Sequence, residues 1–106
     1  MTEVLEGPYE VILLWDVKQQ LRATVAKASS RQQKEGFLAV IGAILARLAR
    51  DPIAGADPLR HYENAGLVEM QFLQDKVYAC YGVDETNKIV YVKRLRPVLS
   101  HPLAEP

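Results

Sequence analysis

The amino-acid sequence predicts an α+β domain in the order β-α-α-β-β-β, an antiparallel twisted sheet with a helical hairpin packed on one face. Three observations predict it. Two capping signals each precede apolar residues at helical spacing. Four further stretches have the two-residue period of strands, or are apolar throughout. The chain has 106 residues, 49% apolar and 25% charged, which suffices for one thin core and matches an ordinary globule. Residues 1–106 therefore read as a single domain, with loose ends at about 1–7 and 99–106.

The first strand is expected over Tyr9 to Trp15, with Tyr9, Val11, Leu13 and Trp15 on one face and Glu10, Ile12 and Leu14 on the other. Both faces are mostly apolar, which suits a strand in the middle of a packed structure. Asp16-x-x-Gln19 has capping-box spacing, and Val17, Leu21, Val25 and Ala28 recur at helical spacing, predicting a first helix over 17–28. Ser30-x-x-Gln33 repeats the capping signal ahead of a longer helix from about Arg31 to Arg50. Phe37, Ile41, Ile44, Leu45 and Leu48 form its bulky stripe; Ala39, Gly42, Ala43, Ala46 and Ala49 form a small-residue face. That face packs on the first helix or receives a partner helix, and Gly42 marks a place where another backbone comes close.

Asp51-Pro52 stops the second helix, and residues 51–66, with Gly55, Pro58 and Gly66, read as a connection. Val68, Met70 and Phe72 alternate with Glu69 and Gln71 as a half-buried second strand. Gln74-Asp75 is a tight but unfavoured turn. Val77 to Val83 is a third strand, and Asp84-Glu85-Thr86-Asn87 is a good turn sequence. In the fourth strand Ile89, Tyr91, Lys93 and Leu95 fall on one face and Val90, Val92 and Arg94 on the other.

Net charge is zero but unevenly spread: −4 over residues 1–16, +6 over 17–50, −5 over 51–87 and +3 over 88–106. Nucleic-acid binding would therefore use a local patch rather than an overall basic balance. One cysteine, Cys80, excludes an intrachain disulfide and reads as a small apolar filler. Two histidines and one cysteine without paired spacing give no metal signature, and no phosphate-loop or dinucleotide glycine pattern occurs, so no cofactor is expected. The apolar runs are too short to span a membrane, and the acidic N-terminus does not read as a signal peptide, so the cytoplasm is the expected location.

The element order, Tyr9-Glu-Val-Ile-Leu-Leu-Trp15, the hairpin ending Leu48-Ala-Arg-Asp-Pro52, then Pro58-Leu59-Arg60, and above all Val77-Tyr-Ala-Cys-Tyr-Gly-Val-Asp84 followed by Lys88-Ile-Val-Tyr-Val92, resemble the RelE/ParE superfamily of toxins from type II toxin–antitoxin systems. The likeness covers about residues 9–98. It implies a RelE/ParE-like fold and a toxin neutralised by a cognate antitoxin protein. It also implies a target: the ribosome and mRNA, cleaved without metal in the RelE branch, or DNA gyrase in the ParE branch. An inactive relative acting only as a protein-binding module is the third reading.

Metal-free RNA cleavage needs groups that activate the 2′-hydroxyl, stabilise charge on the phosphate and protonate the leaving oxygen. The family's ribosome-dependent members carry Lys and Arg on the second and third strands. Here Leu67 to Phe72 has neither, Glu69 would repel a phosphate, and the third-strand arginine falls at Tyr78. Whether the chain is an enzyme stays open, with a depleted endoribonuclease site as the reading. Its catalytic candidates are Arg94 and Arg96, a pair able to grip phosphate, and His101, the nearest titratable substitute for a missing C-terminal tyrosine. The substrate-binding candidates are Arg60, His61, Lys76, Tyr78 and Lys93, with Tyr78 either stacking on a base or capping the helical layer. Strand alternation puts Arg94 and Arg96 on one face and Lys93 on the other.

Overall fold

The computed structural model describes residues 7–62, 66–98 and 103, with 60–62 as backbone only. The elements are β1 (Glu10–Leu13), α1 (Trp15–Ala26), α2 (Arg31–Arg50), β2 (Asp57–Tyr62), β3 (Leu67–Gln74), β4 (Val77–Asp84) and β5 (Ile89–Pro97). They build one five-stranded sheet in the order β1-β5-β4-β3-β2. The expected four-stranded antiparallel sheet is thus corrected in two ways. β1 pairs with β5 in parallel, so the sheet is mixed. The connection 51–66 contains an additional strand, β2, antiparallel to β3. Its signal is hidden because Pro58 cannot donate to a ladder and the register shifts between Pro58 and Arg60; both are tolerated on an edge strand.

β1 is an edge strand, not a central one, and ends before Trp15. Val11 and Leu13 pack on the core, opposite Val90 and Val92 of β5. α1 begins at Trp15, which is 71% exposed, and its N-cap is Leu14 with no side-chain hydrogen bond. The Asp16–Gln19 box therefore does not form. The stripe of Val17, Leu21, Val25 and Ala28 does face the core.

The second capping signal is realised. Ser30 Oγ accepts from the Gln33 N–H at 3.1 Å, and Gln33 Oε1 accepts from the Ser29 N–H at 2.7 Å. Phe37, Ile41, Ile44 and Leu48 are buried against Met70, Phe72, Val77, Tyr81, Val83, Val90, Val92 and Leu95 of the sheet. Among the described residues no backbone approaches Gly42: a Cβ built there meets none of their atoms within 4 Å.

After α2 the chain is pinned to the sheet. Asp51 Oδ1 accepts from the N–H groups of Ile53 and Ala54, and Tyr81 donates its buried hydroxyl proton to the Pro52 carbonyl at 2.6 Å. The Arg47 guanidinium lies 3.8 Å over the Phe72 ring and donates to Gln74 Oε1 and the Gly55 carbonyl. The β3–β4 turn is centred on Asp75-Lys76, with φ of 48° and 65°, the left-handed pair of a favoured hairpin turn. At the other end, Asp84 accepts from the backbone and side-chain N–H groups of Asn87, as the turn sequence predicts.

The expected loose ends fall mostly outside the described residues; Leu103 is described and is buried in the core. Among the described residues no helix is long and apolar enough to cross a membrane.

Candidate functional site: the helix-free face of the sheet

The helices cover one face of the sheet. Strand alternation sends every second residue of β3, β4 and β5 to the other. A bulge in β5 then decides which residues these are. Cys80 pairs with Arg94 and Tyr81 with Val92, so Lys93 is the extra residue of the bulge. Val90 and Val92 face the core, but after the bulge Leu95 does so, fully buried. The expected faces of β5 are therefore corrected: Leu95 does not share a face with Tyr91, and Arg94 does not share one with Val92. Lys93 is not opposed to the arginines either, because its ammonium reaches Glu69 on the helix-free face.

The registers arrange this face in four rows. Leu67, Asp84, Ile89 and Glu10 form the first, and Glu69, Gly82, Tyr91 and Ile12 the second. Gln71, Cys80 and Arg94 form the third, and Leu73, Tyr78 and Arg96 the fourth. The fourth row adjoins the Asp75-Lys76 turn, where Lys76 is exposed.

Arg94 and Arg96 are exposed, and no carboxylate among the described residues pairs with either. Arg96 lies 5.9 Å from the centre of the Tyr78 ring. Tyr78 donates its hydroxyl proton to Gln71 Oε1 at 2.7 Å. It stands on the face away from the helices, which removes the reading of a cap on the helical layer. Burial, chiefly, pushes its phenol above the ordinary value.

Glu69 is 8% exposed and is not the isolated repellent charge the sequence suggests. Its Oε2 lies 2.7 Å from Lys93 Nζ, and its Oε1 accepts from Cys80 Sγ at 3.8 Å. Cys80 is buried, and burial followed by the Glu69 charge raises its thiol pKa, which fits a filler rather than a nucleophile. Arg60 and His61 lie in β2 rather than in a loop, at register positions opposite Glu69 and Val68. His101 lies outside the described residues. The structure thus brings Tyr78, Lys93, Arg94 and Arg96 onto one face and adds Glu69 and Gln71, which sequence reasoning missed. Their signal was present: both alternate with buried Met70 and Phe72. Among the described residues no three His, Cys, Asp or Glu side chains gather as metal ligands.

Beyond the Glu69–Lys93 pair lies a groove of about 500 Å3, lined by Leu14, Leu67, Gly82 and Tyr91 together with Asp84 and that pair. Hydrogen bonds from Asn87 hold the Asp84 carboxyl below the ordinary range.

No family model matches the sequence, and no curated protein matches it. A solved structure does: the crystal structure of the archaeal RelE–RelB complex from Pyrococcus horikoshii OT3 superposes with a TM-score of 0.56 over 85% of this chain and 94% of that one. Sequence identity is 17%, so the likeness is one of fold. The resemblance read from Tyr9–Trp15 and Val77–Asp84 is borne out at that level: this chain has the RelE-like toxin fold.

Proposed function

We propose that the chain is the toxin of a type II toxin–antitoxin pair and that it inhibits translation by cutting mRNA on the ribosome. The observation carrying this reading is the β5 bulge, which sets Arg94 and Arg96, without acid partners among the described residues, beside Tyr78 on the helix-free face. In the step, an RNA 2′-hydroxyl gives up its proton to solvent, its oxygen attacks the adjacent phosphorus and the bond to the 5′-oxygen breaks. The products are a 2′,3′-cyclic phosphate and a 5′-hydroxyl. Arg94 and Arg96 hold the phosphate oxygens as negative charge grows there. Tyr78 offers a ring for a base to stack on. His101 is the proposed donor to the leaving oxygen, and Lys76, Arg60 and His61 the proposed contacts along the strand. An antitoxin is the proposed partner; the Pyrococcus relative was crystallised with RelB.

The test is induced expression with primer extension on cellular mRNA. New 5′ ends and arrested translation are expected; intact transcripts with normal translation overturn the reading. A second reading has its own motive: the Glu69–Lys93 pair neutralises one of the cations. A non-catalytic inhibitor of DNA gyrase, or a pure protein-binding module, needs no free cations there. Inhibition of supercoiling by the purified protein would favour the gyrase reading.

A further inference from the structure

We propose that Glu69 is a brake on the cationic end of the helix-free face: it holds the Lys93 ammonium back from the phosphates of single-stranded RNA. The inference rests on the reading that Arg94 and Arg96 grip those phosphates.

Lys93, Arg94 and Arg96 come from one stretch of β5, and the bulge brings all three to the same face. Three cations so close together attract a phosphate more strongly than two. The structure withholds one of them. Lys93 Nζ lies 2.7 Å from Glu69 Oε2, whereas no acid among the described residues pairs with either arginine. The lysine side chain is 42% exposed and that of the glutamate 10%, so a ligand meets the cation while the carboxylate is seated in the sheet. The second carboxylate oxygen, Oε1, accepts from Cys80 Sγ at 3.8 Å. Cys80 is the register partner of Arg94, so the pair sits against the arginine row. Lysine carries a compact charge on a flexible stem and needs no fixed geometry to join a phosphate held next door.

Glu69 opposes that move in two ways. A phosphate that drew Lys93 off would take a cation from a buried carboxylate. The carboxylate's own charge also repels the phosphate. The other charges nearby are mixed in sign. Asp84 and Glu10 lie in the adjoining row, exposed Lys88 is next to that row in sequence, and Arg60 stands at the register position opposite Glu69. The test therefore isolates the one contact instead of summing the field.

The full chain is titrated, by fluorescence anisotropy at several salt concentrations, with a labelled oligouridylate. Its 2′-O-methyl groups remove the attacking hydroxyl. Each phosphate neutralised on a single strand adds about 0.7 to the slope of log affinity against log salt. Glu69→Gln, close to the parent in shape, should steepen the slope by about 0.7 and tighten binding roughly fivefold at low salt. Glu69→Ala, the second variant, should do the same. Introduced into Lys93→Met protein, Glu69→Gln should steepen nothing, because no ammonium is there to release. Thermal melts identify the folded variants. If the parent binds through its arginines and the folded Glu69 variants keep its slope, the brake alone is overturned. Equal steepening in the Lys93→Met protein assigns the effect to the general field and overturns the brake too. Binding undiminished by Arg94→Ala with Arg96→Ala, or absent from parent and Glu69→Gln alike, overturns the reading of the face and the brake with it.

Discussion

Lys93 Nζ meets Glu69 Oε2 at 2.7 Å across the full width of β4. The two strands are second neighbours in the sheet, roughly 9.6 Å apart, and the side chains meet beside Cys80, whose Sγ lies 3.8 Å from Glu69 Oε1. The pair stands between the arginine end of the face and the groove.

Losing Lys93 removes a cation 2.7 Å from the buried Glu69 carboxylate. Lys93→Met should therefore cost about 1–3 kcal/mol, less than a fully buried pair because the lysine side chain is 42% exposed. Combining it with Glu69→Gln should recover most of the loss. Urea unfolding measures both; a Lys93→Met protein as stable as the parent would remove the pair from the account of stability.

The bulge makes Arg94 and Leu95 unequal in a way that regular alternation from Val90 and Val92 reverses. Leu95→Ala should destabilise by about 2–4 kcal/mol, and Arg94→Ala by less than about 0.5 kcal/mol. Thermal melts of the two variants decide which residue faces the helices.

Replacing Arg94 and Arg96 together by alanine should abolish toxicity and mRNA cleavage while the melting temperature changes by no more than a few degrees, since both side chains are exposed. Growth after induction and primer extension read the first, calorimetry the second. Full toxicity in the double variant would place the site elsewhere.

Alkaline pH should unfold the protein through its buried phenol. Burial raises the Tyr81 pKa above its ordinary value near 10, so the folded chain keeps a proton that the unfolded chain releases. The stabilisation is complete below about pH 10 and declines as pH rises beyond it. Cys80 moves the same way from a lower ordinary value and starts the decline earlier, and Tyr78 joins it alongside Tyr81. Tyr81→Phe isolates one contribution: it should flatten the decline above pH 10. At neutral pH it should cost about 1–2 kcal/mol, because the Pro52 carbonyl loses its donor. An unchanged alkaline profile in the variant would mean that Tyr81 is not the group responsible.

Local signals were legible where they act locally. Ser30 and Gln33 form their cap because both lie within one turn of the groups they satisfy. Asp16 and Gln19 carry the same pattern, but α1 starts one residue before Asp16, so it is no longer at the capping position. Pro58 concealed β2, because an edge strand makes half the demands of a central one. The β5 bulge left a trace in the apolar spacing, which steps from two between Val90 and Val92 to three between Val92 and Leu95. Glu69 was legible as a charge and not as a pair, since Lys93 reaches it only after three strands have assembled.

The parallel pairing of β1 with β5 sets an order of events during synthesis. β1 lies beside β5, and the Tyr9–Lys88 contact at that seam spans 79 residues. Such distant closure is slow. Until the C-terminal strand is complete, Val11 and Leu13 have no strand to lie against, and the arginines of that strand have yet to be made. A nascent chain therefore acquires its full sheet and its cationic edge together, when β5 has been made, and a molecule that captured it earlier would meet neither.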